Sequence, residues 1–164
     1  MITDTQDQAA IERRLWKALE DHQTGMLGID GAPKQTQPMT AFLDEERNQI
    51  WFFTRSDTDL SRAIGEGRRA SFIVQRKGLQ AVISGELTLQ YDPARIERYW
   101  NAVVAAWYPL GREDPGLTML CLTCEAAQVW LSDAGPVRFA WEIAKAHATH
   151  APPELGGRAN LSFH

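Results

Sequence analysis

Gln49-Ile50-Trp51-Phe52-Phe53-Thr54, followed by Arg55-Ser56-Asp57-Thr58-Asp59-Leu60, is the stretch on which the fold turns. Its first half is dominated by β-branched and aromatic side chains, the composition that fits a pleated, half-buried strand. Asp44-Glu45-Glu46-Arg47-Asn48, just before it, reads as a solvated polar turn. Just after it, Asp57 or Thr58 opens a short helix that ends near Gly65 and Gly67.

Upstream, Met26 to Asp30 is a short apolar strand, and Asp30-Gly31 is a hairpin signal. Gln35 to Leu43 reads as its partner, with Pro38 unable to donate to a ladder. The chain begins with an amphipathic helix in which Ile11, Leu15, Ala18, Leu19 and His22 recur at helical spacing, capped by Asp4 or Thr5. Downstream, Ala70 to Arg76 and Leu79 to Gln90 form two strands joined at Lys77-Gly78. Asp92-Pro93 starts one helix whose apolar positions run through Ile96, Trp100, Val103, Val104 and Trp107. A Pro/Gly loop follows, in which Glu113-Asp114 reads as surface, and then strands over Leu117 to Cys124 and Ala127 to Leu131. Val137 to His150 fits neither period cleanly, and residues 151–164 read as an irregular tail beyond a single domain of residues 1–150. About seven strands linked by short turns, with helices inserted, favour a curled antiparallel sheet over a doubly wound one.

The 164 residues carry a net charge of −4, 44% hydrophobic and 23% charged residues, enough for a core without disulfides or metal. Basic residues occur at most in pairs such as Arg13-Arg14 and Arg68-Arg69, which argues against nucleic acid as a partner. No apolar run approaches the ~20 residues of a membrane helix, and the polar, acidic start is unlike a secretory signal. The expectation is a cytoplasmic protein with no membrane partner. Cys121-Leu-Thr-Cys124 and His147-Ala-Thr-His150 imitate a zinc set. The pairs are too far apart for a finger, and residues three apart on a strand face opposite sides. No metal is expected.

Four segments, in order, carry a family resemblance. They are Gly31-Ala-Pro-Lys-Gln-Thr-Gln-Pro-Met39, Trp51-Phe-Phe-Thr54, Ser84-Gly-Glu-Leu87, and Trp100 with Ala106-Trp-Tyr-Pro-Leu-Gly-Arg-Glu-Asp-Pro115. Together they resemble general stress protein 26 and, more distantly, pyridoxamine 5′-phosphate oxidase, over roughly residues 8 to 142. The resemblance implies a mainly β fold with inserted helices, a split β-barrel of the FMN-binding type. It also implies a homodimer with FMN at the interface and a small-molecule ligand. Gln37, Pro38, Met39 and Thr40 would line the flavin, with Phe53 and Thr54 beside the ribityl chain and phosphate. Thr58 and Leu60 would lie in the phosphate loop, at a helix start suited to an anion. Gln80 matches a flavin-contacting glutamine, and Trp130 a late tryptophan that reaches the flavin of the second subunit.

The chain departs from the pattern in three places. Gln37 replaces an arginine and carries no charge. In the phosphate loop Leu60 stands where relatives have lysine, and Asp59 where the oxidase branch has arginine. Arg55, Arg62, Arg68 and Arg69 are the nearby cations able to compensate, and the double change Leu60→Lys, Asp59→Ser should raise FMN affinity if charge at those positions is what the phosphate lacks. After the late tryptophan, Arg138-Phe139-Ala140 lacks the histidine of the oxidase branch, so oxidation of pyridoxine phosphate is not expected. No general acid or base stands out, and the catalytic residues are unassigned. A flavin-dependent oxidoreductase, a flavin-binding module without turnover, and a split barrel holding F420, haem or no cofactor all remain open.

Overall fold

The computed structural model describes residues 5–132, 136–152 and 157–164; the side chains of residues 5–7, 136–139 and 142 lie outside that description. The choice of Asp4 or Thr5 as a cap, and the match at Arg138, therefore fall outside it as well.

Helix α1 (Thr5–Asp21) buries Ile11, Leu15, Trp16 and Leu19, one stripe at helical spacing. Strands β1 (Thr24–Ile29) and β2 (Ala32–Thr40) form the first hairpin, with Gly31 at φ +78° in its turn. The expected strand Gln35 to Leu43 is in fact two. It divides at Ala41, whose N–H donates to the Gln23 carbonyl and whose carbonyl accepts from Gln23 Nε2. Those two bonds occupy the backbone of Ala41, and the chain passes from one side of the barrel to the other, where β3 (Phe42–Asp44) pairs with β4 (Gln49–Arg55).

A 3-10 turn over Glu45–Arg47 joins β3 to β4. Asp44 corrects the reading of this turn as solvated. It is 4% exposed and accepts from Arg95 Nη2 at 2.7 Å and from Arg47 Nη1 at 3.2 Å. The short helix α2 (Asp59–Ile64), β5 (Arg68–Arg76) and β6 (Leu79–Gln90) come next. The expected single helix after Asp92 breaks at Trp100 into α3 (Pro93–Tyr99) and α4 (Ala102–Ala105). Trp100 is extended, and the Asn101 side chain accepts from the Val104 N–H at 2.8 Å, capping a new helix in place of continuing the old one.

Strand β7 (Leu117–Leu131) is continuous where two strands were expected. It absorbs an extra residue near Glu125, where its register to β6 jumps from Gly85↔Cys124 to Ser84↔Ala126. The segment 137–150, unassigned by periodicity, lies in helix α5 (Pro136–Thr149) but for its last residue, His150. The tail is not irregular throughout: β8 (Gly157–Ser162) pairs with β7 and buries Ala159, Leu161 and the following Phe163. Three alternating apolar positions after a Gly-Gly pair are too short a signal to have been read as a strand.

The sheet order is β2-β1-β5-β6-β7-β4-β3, antiparallel throughout, with β8 beside the far half of β7. Its outermost strands, β2 and β3, are consecutive in the chain, so the sheet curls back on itself. Phe52, Phe72, Leu27, Ile83 and Leu120 fill the interior together with Leu15 and Leu19 of α1. A second cluster on the opposite face of β4 and β7 packs Trp51, Met119 and Cys121 under Ile96, Val104 and Tyr108. Cys124 belongs to the first cluster and Cys121 to the second, as strand parity requires. Burial pushes the thiol of Cys121 up to about 11 and that of Cys124 up to about 12. No helix among the described residues is long and apolar enough to cross a membrane.

Candidate functional site

Where β2 runs beside β4 without pairing to it, the curled sheet leaves a seam, and the segment around α4 overhangs it. The space between them is a cavity of about 620 Å³, within the ~300–1,000 Å³ usual for small-molecule sites. Gln37, Pro38, Met39 and Thr40 form one wall, the end of β4 (Phe53, Thr54, Arg55) with Thr58 forms the floor, and Asn101, Val103, Val104, Trp107 and Tyr108 form the other wall.

Seven of the ten residues expected at a cofactor site line this one cavity: Gln37, Pro38, Met39, Thr40, Phe53, Thr54 and Thr58. Gln37 Nε2 lies 3.5 Å from the Met39 sulfur. Thr58 builds the floor more than it offers a free hydroxyl. Its Oγ1 accepts from the Ser61 N–H at 3.1 Å, capping α2, and donates toward the Arg55 carbonyl at 3.1 Å. Ser61 Oγ donates to the same carbonyl at 2.7 Å. The backbone of Arg55 is thereby fixed at the strand end.

The other three residues lie elsewhere. Leu60 is 1% exposed and packs in the barrel interior. Asp59, next to it, is exposed and paired with Arg62 at 2.8 Å. A lysine at position 60 would point into the core, so the charge missing there is not a charge missing from the cavity. Gln80 and Trp130 are register partners on β6 and β7. Both point to the outer face of the sheet, and neither lines the cavity.

Arg55 is the one charged side chain lining the cavity among the described residues. Its Nε lies 3.3 Å from Asp57 Oδ1 and its Nη1 3.6 Å from Asp114 Oδ2, while its guanidinium sits 6.0 Å from the centre of the Tyr108 ring. Asp114, expected at the surface, is 7% exposed. The Gly116 N–H holds its carboxyl below the usual carboxylate range; burial opposes this, and the Leu110 N–H and Arg55 add to it. Burial pushes the Tyr108 hydroxyl up to about 12, so it stays protonated at neutral pH. Besides Arg55, the cavity's polar side chains are neutral hydroxyls and amides, and its apolar lining is aromatic and aliphatic with the Met39 thioether.

Trp107 and Tyr108 of the α4 wall lie in a family segment, but no residue of that wall was among the ten expected at the cofactor site. Its signal was there, in the aromatic crowding of Trp100, Trp107 and Tyr108, but such crowding more often marks plain packing. Asp114 lies in a family segment yet read as surface, because its ion-pair partner Arg55 lies 59 positions upstream.

A curled antiparallel sheet with an N-terminal helix, and a cavity at its open seam, define a split β-barrel. Residues 10–154 match the family described as pyridoxamine 5′-phosphate oxidase like, and the chain belongs to that family. Among solved structures, it is similar to a candidate general stress protein 26 from Jannaschia sp. CCS1, with 34% identity over 94% of this chain and 99% of that one and a TM-score of 0.77. It is also similar to a general stress FMN/FAD binding protein from Xanthomonas citri, at 40% identity over 77% and 92% of the two chains and a TM-score of 0.72. A general stress family protein from Xanthomonas campestris pv. campestris shares 38% identity over 82% and 93%, with a TM-score of 0.70. A comparison with curated proteins returned no match.

Proposed function

We propose that the chain binds FMN in the cavity between β2, β4 and α4, and that the bound flavin makes it an oxidoreductase for a small molecule. The observation that carries this reading is the convergence of Gln37–Thr40, Phe53, Thr54 and Thr58 on one cavity of about 620 Å³. The donor set suits the group. Aliphatic and aromatic walls match a planar ring, neutral hydroxyls match a polyol, and one cation matches a phosphate. When bound, the flavin would supply the redox chemistry, and the protein would orient it and exclude water.

We propose, further, that the molecule is a homodimer. Met26 at 40%, Ile73 at 45% and Trp130 at 37% exposure lie with Val82 on the outer face of neighbouring strands β1, β5, β6 and β7. An apolar stripe of that kind favours a covering partner. A second copy would carry Gln80 and Trp130 to the other subunit's flavin, which explains why neither approaches its own cavity. Two free, buried cysteines suit a reducing compartment, and we place the protein in the cytoplasm.

One observation favours a second reading, a flavin-binding module without turnover. Among the described residues the cavity is lined by no carboxylate or imidazole, and burial holds the Tyr108 hydroxyl up at about 12, so the lining offers no general acid or base poised near neutral pH.

Quenching of FMN fluorescence on titration with the protein tests the binding. Saturation is expected for the wild type and strong weakening for Thr40→Trp, which fills the cavity; a wild type that leaves FMN fluorescence unchanged would exclude the reading. Steady-state oxidation of NADPH by the FMN-loaded protein separates the two forms of the proposal, since rapid turnover is incompatible with a mere module.

A further inference from the structure

Resting on the flavin reading above, we infer that Arg55, at the end of β4, is the phosphate-binding cation of this chain, and that Asp114 and Gly116 exist there to aim it. The family pattern puts that charge on α2, at the positions of Asp59 and Leu60. In this structure α2 cannot supply it, because Leu60 is buried in the core and Asp59 faces solvent beside Arg62.

The remaining cations near in sequence are engaged elsewhere. Arg62 is paired with Asp59, Arg68 donates to the carbonyls of Ala63 and Asp30, and Arg69 is paired with Glu125. None of them lines the cavity.

Arg55 both lines the cavity and is steered into place. Asp57 stands at its Nε and Asp114 at its Nη1, which leaves the Nη2 end of the fork unassigned by either ion pair. That end passes over Gly116: a Cβ there would lie 2.3 Å from Nη2 and 2.7 Å from Cζ. Gly116 stands in the turn Asp114–Leu117, which the Leu117 N–H closes on the Asp114 carbonyl at 3.0 Å, without the positive φ that would itself call for glycine, and the space its missing side chain leaves is taken by the guanidinium. Asp114 accepts from the Gly116 N–H at 2.9 Å, and this bond fixes loop, carboxylate and guanidinium together. A planar fork with several N–H donors is well suited to a phosphate monoester. The Arg55 side chain, 39% exposed, is partly shielded from water.

The test compares FMN with riboflavin, the same ring and chain without phosphate, by fluorescence titration of the wild type, Arg55→Gln, Asp114→Asn and Gly116→Ala. The wild type should prefer FMN by roughly 10- to 100-fold, the worth of a hydrogen bond to a charged group. Arg55→Gln should abolish most of that preference while leaving riboflavin binding within about three-fold. Gly116→Ala and Asp114→Asn, which misplace the charge without removing it, should reduce the preference to an intermediate ratio. The FMN affinity of the wild type should fall with ionic strength, and that of Arg55→Gln should not.

A wild type that binds both flavins equally, or an Arg55→Gln variant that loses both in proportion, would overturn the assignment while leaving the flavin reading in place. A wild type that binds neither would overturn both. Retained riboflavin binding in each variant shows that it is folded.

Discussion

At Leu60 a lysine would enter the barrel interior, where an ammonium has no partner and a well-packed leucine is lost. Leu60→Lys is therefore expected to lower unfolding free energy by about 3 kcal/mol, read from urea denaturation, with no gain in FMN affinity; a tighter, undiminished variant would refute the placement of this side chain. Asp44 is a second residue whose surroundings the sequence concealed. Burial alone would raise its carboxyl, but hydrogen bonds from Arg95 and Arg47 outweigh it and hold the group below 3.8. The folded value lies below the unfolded one, so this stabilisation is complete above the ordinary carboxyl range and lost as pH falls through the folded value. Asp44→Asn should cost roughly 1.5–3 kcal/mol at neutral pH. The difference from wild type should narrow as pH falls through the ordinary carboxyl range and below it, as a denaturation series over pH would record. The cavity residues on β2 and β4 were legible because each sits in a short motif. Arg55–Asp114 was not, because an ion pair across 59 positions leaves no local trace, and the helix phase that turns Leu60 inward cannot be read from six residues.

The elements followed their local chemistry where that chemistry was strong. Asp92 accepts from the N–H groups of Ala94 and Arg95, and so starts α3 where Asp-Pro said it should. They departed from it where a neighbour intervened. Gln23 divides β2 from β3, and Asn101 divides α3 from α4, and that second break is what brings Trp107 and Tyr108 to the cavity. In β7 the bulge depends on Gly85 of the facing strand, where a Cβ would stand 1.9 Å from the Thr123 carbonyl oxygen. Backbone cannot yield as a flexible side chain can. Gly85→Ala is expected to destabilise by about 1–3 kcal/mol, against a near-neutral Ser84→Ala, as thermal unfolding would show. An unchanged midpoint for Gly85→Ala would mean that β6 and β7 do not approach each other as described.

The whole molecule joins two consequences of one curled sheet. Its inner seam makes the cavity, and its outer face carries Met26, Ile73, Val82 and Trp130. Alternation within the strands allowed such a sheet to be read from the sequence, and the ordered family segments named its type. The added strand β8 was hidden in a tail of low apolar content. If the outer face is the dimer contact, Ile73→Asp should convert a dimer to a monomer in sedimentation velocity while the fold persists by circular dichroism. It should also weaken FMN binding, since Gln80 and Trp130 would lose the neighbouring site. A wild type that sediments as a monomer would remove the dimer from the account and leave the cavity untouched.

Above all, the cavity between β2, β4 and α4 is proposed to hold a flavin. A crystal structure of the protein grown with saturating FMN tests it most directly. The ring is expected against Gln37–Thr40 and Phe53, with the phosphate beside Arg55. Flavin bound elsewhere, or none at saturation, would contradict it.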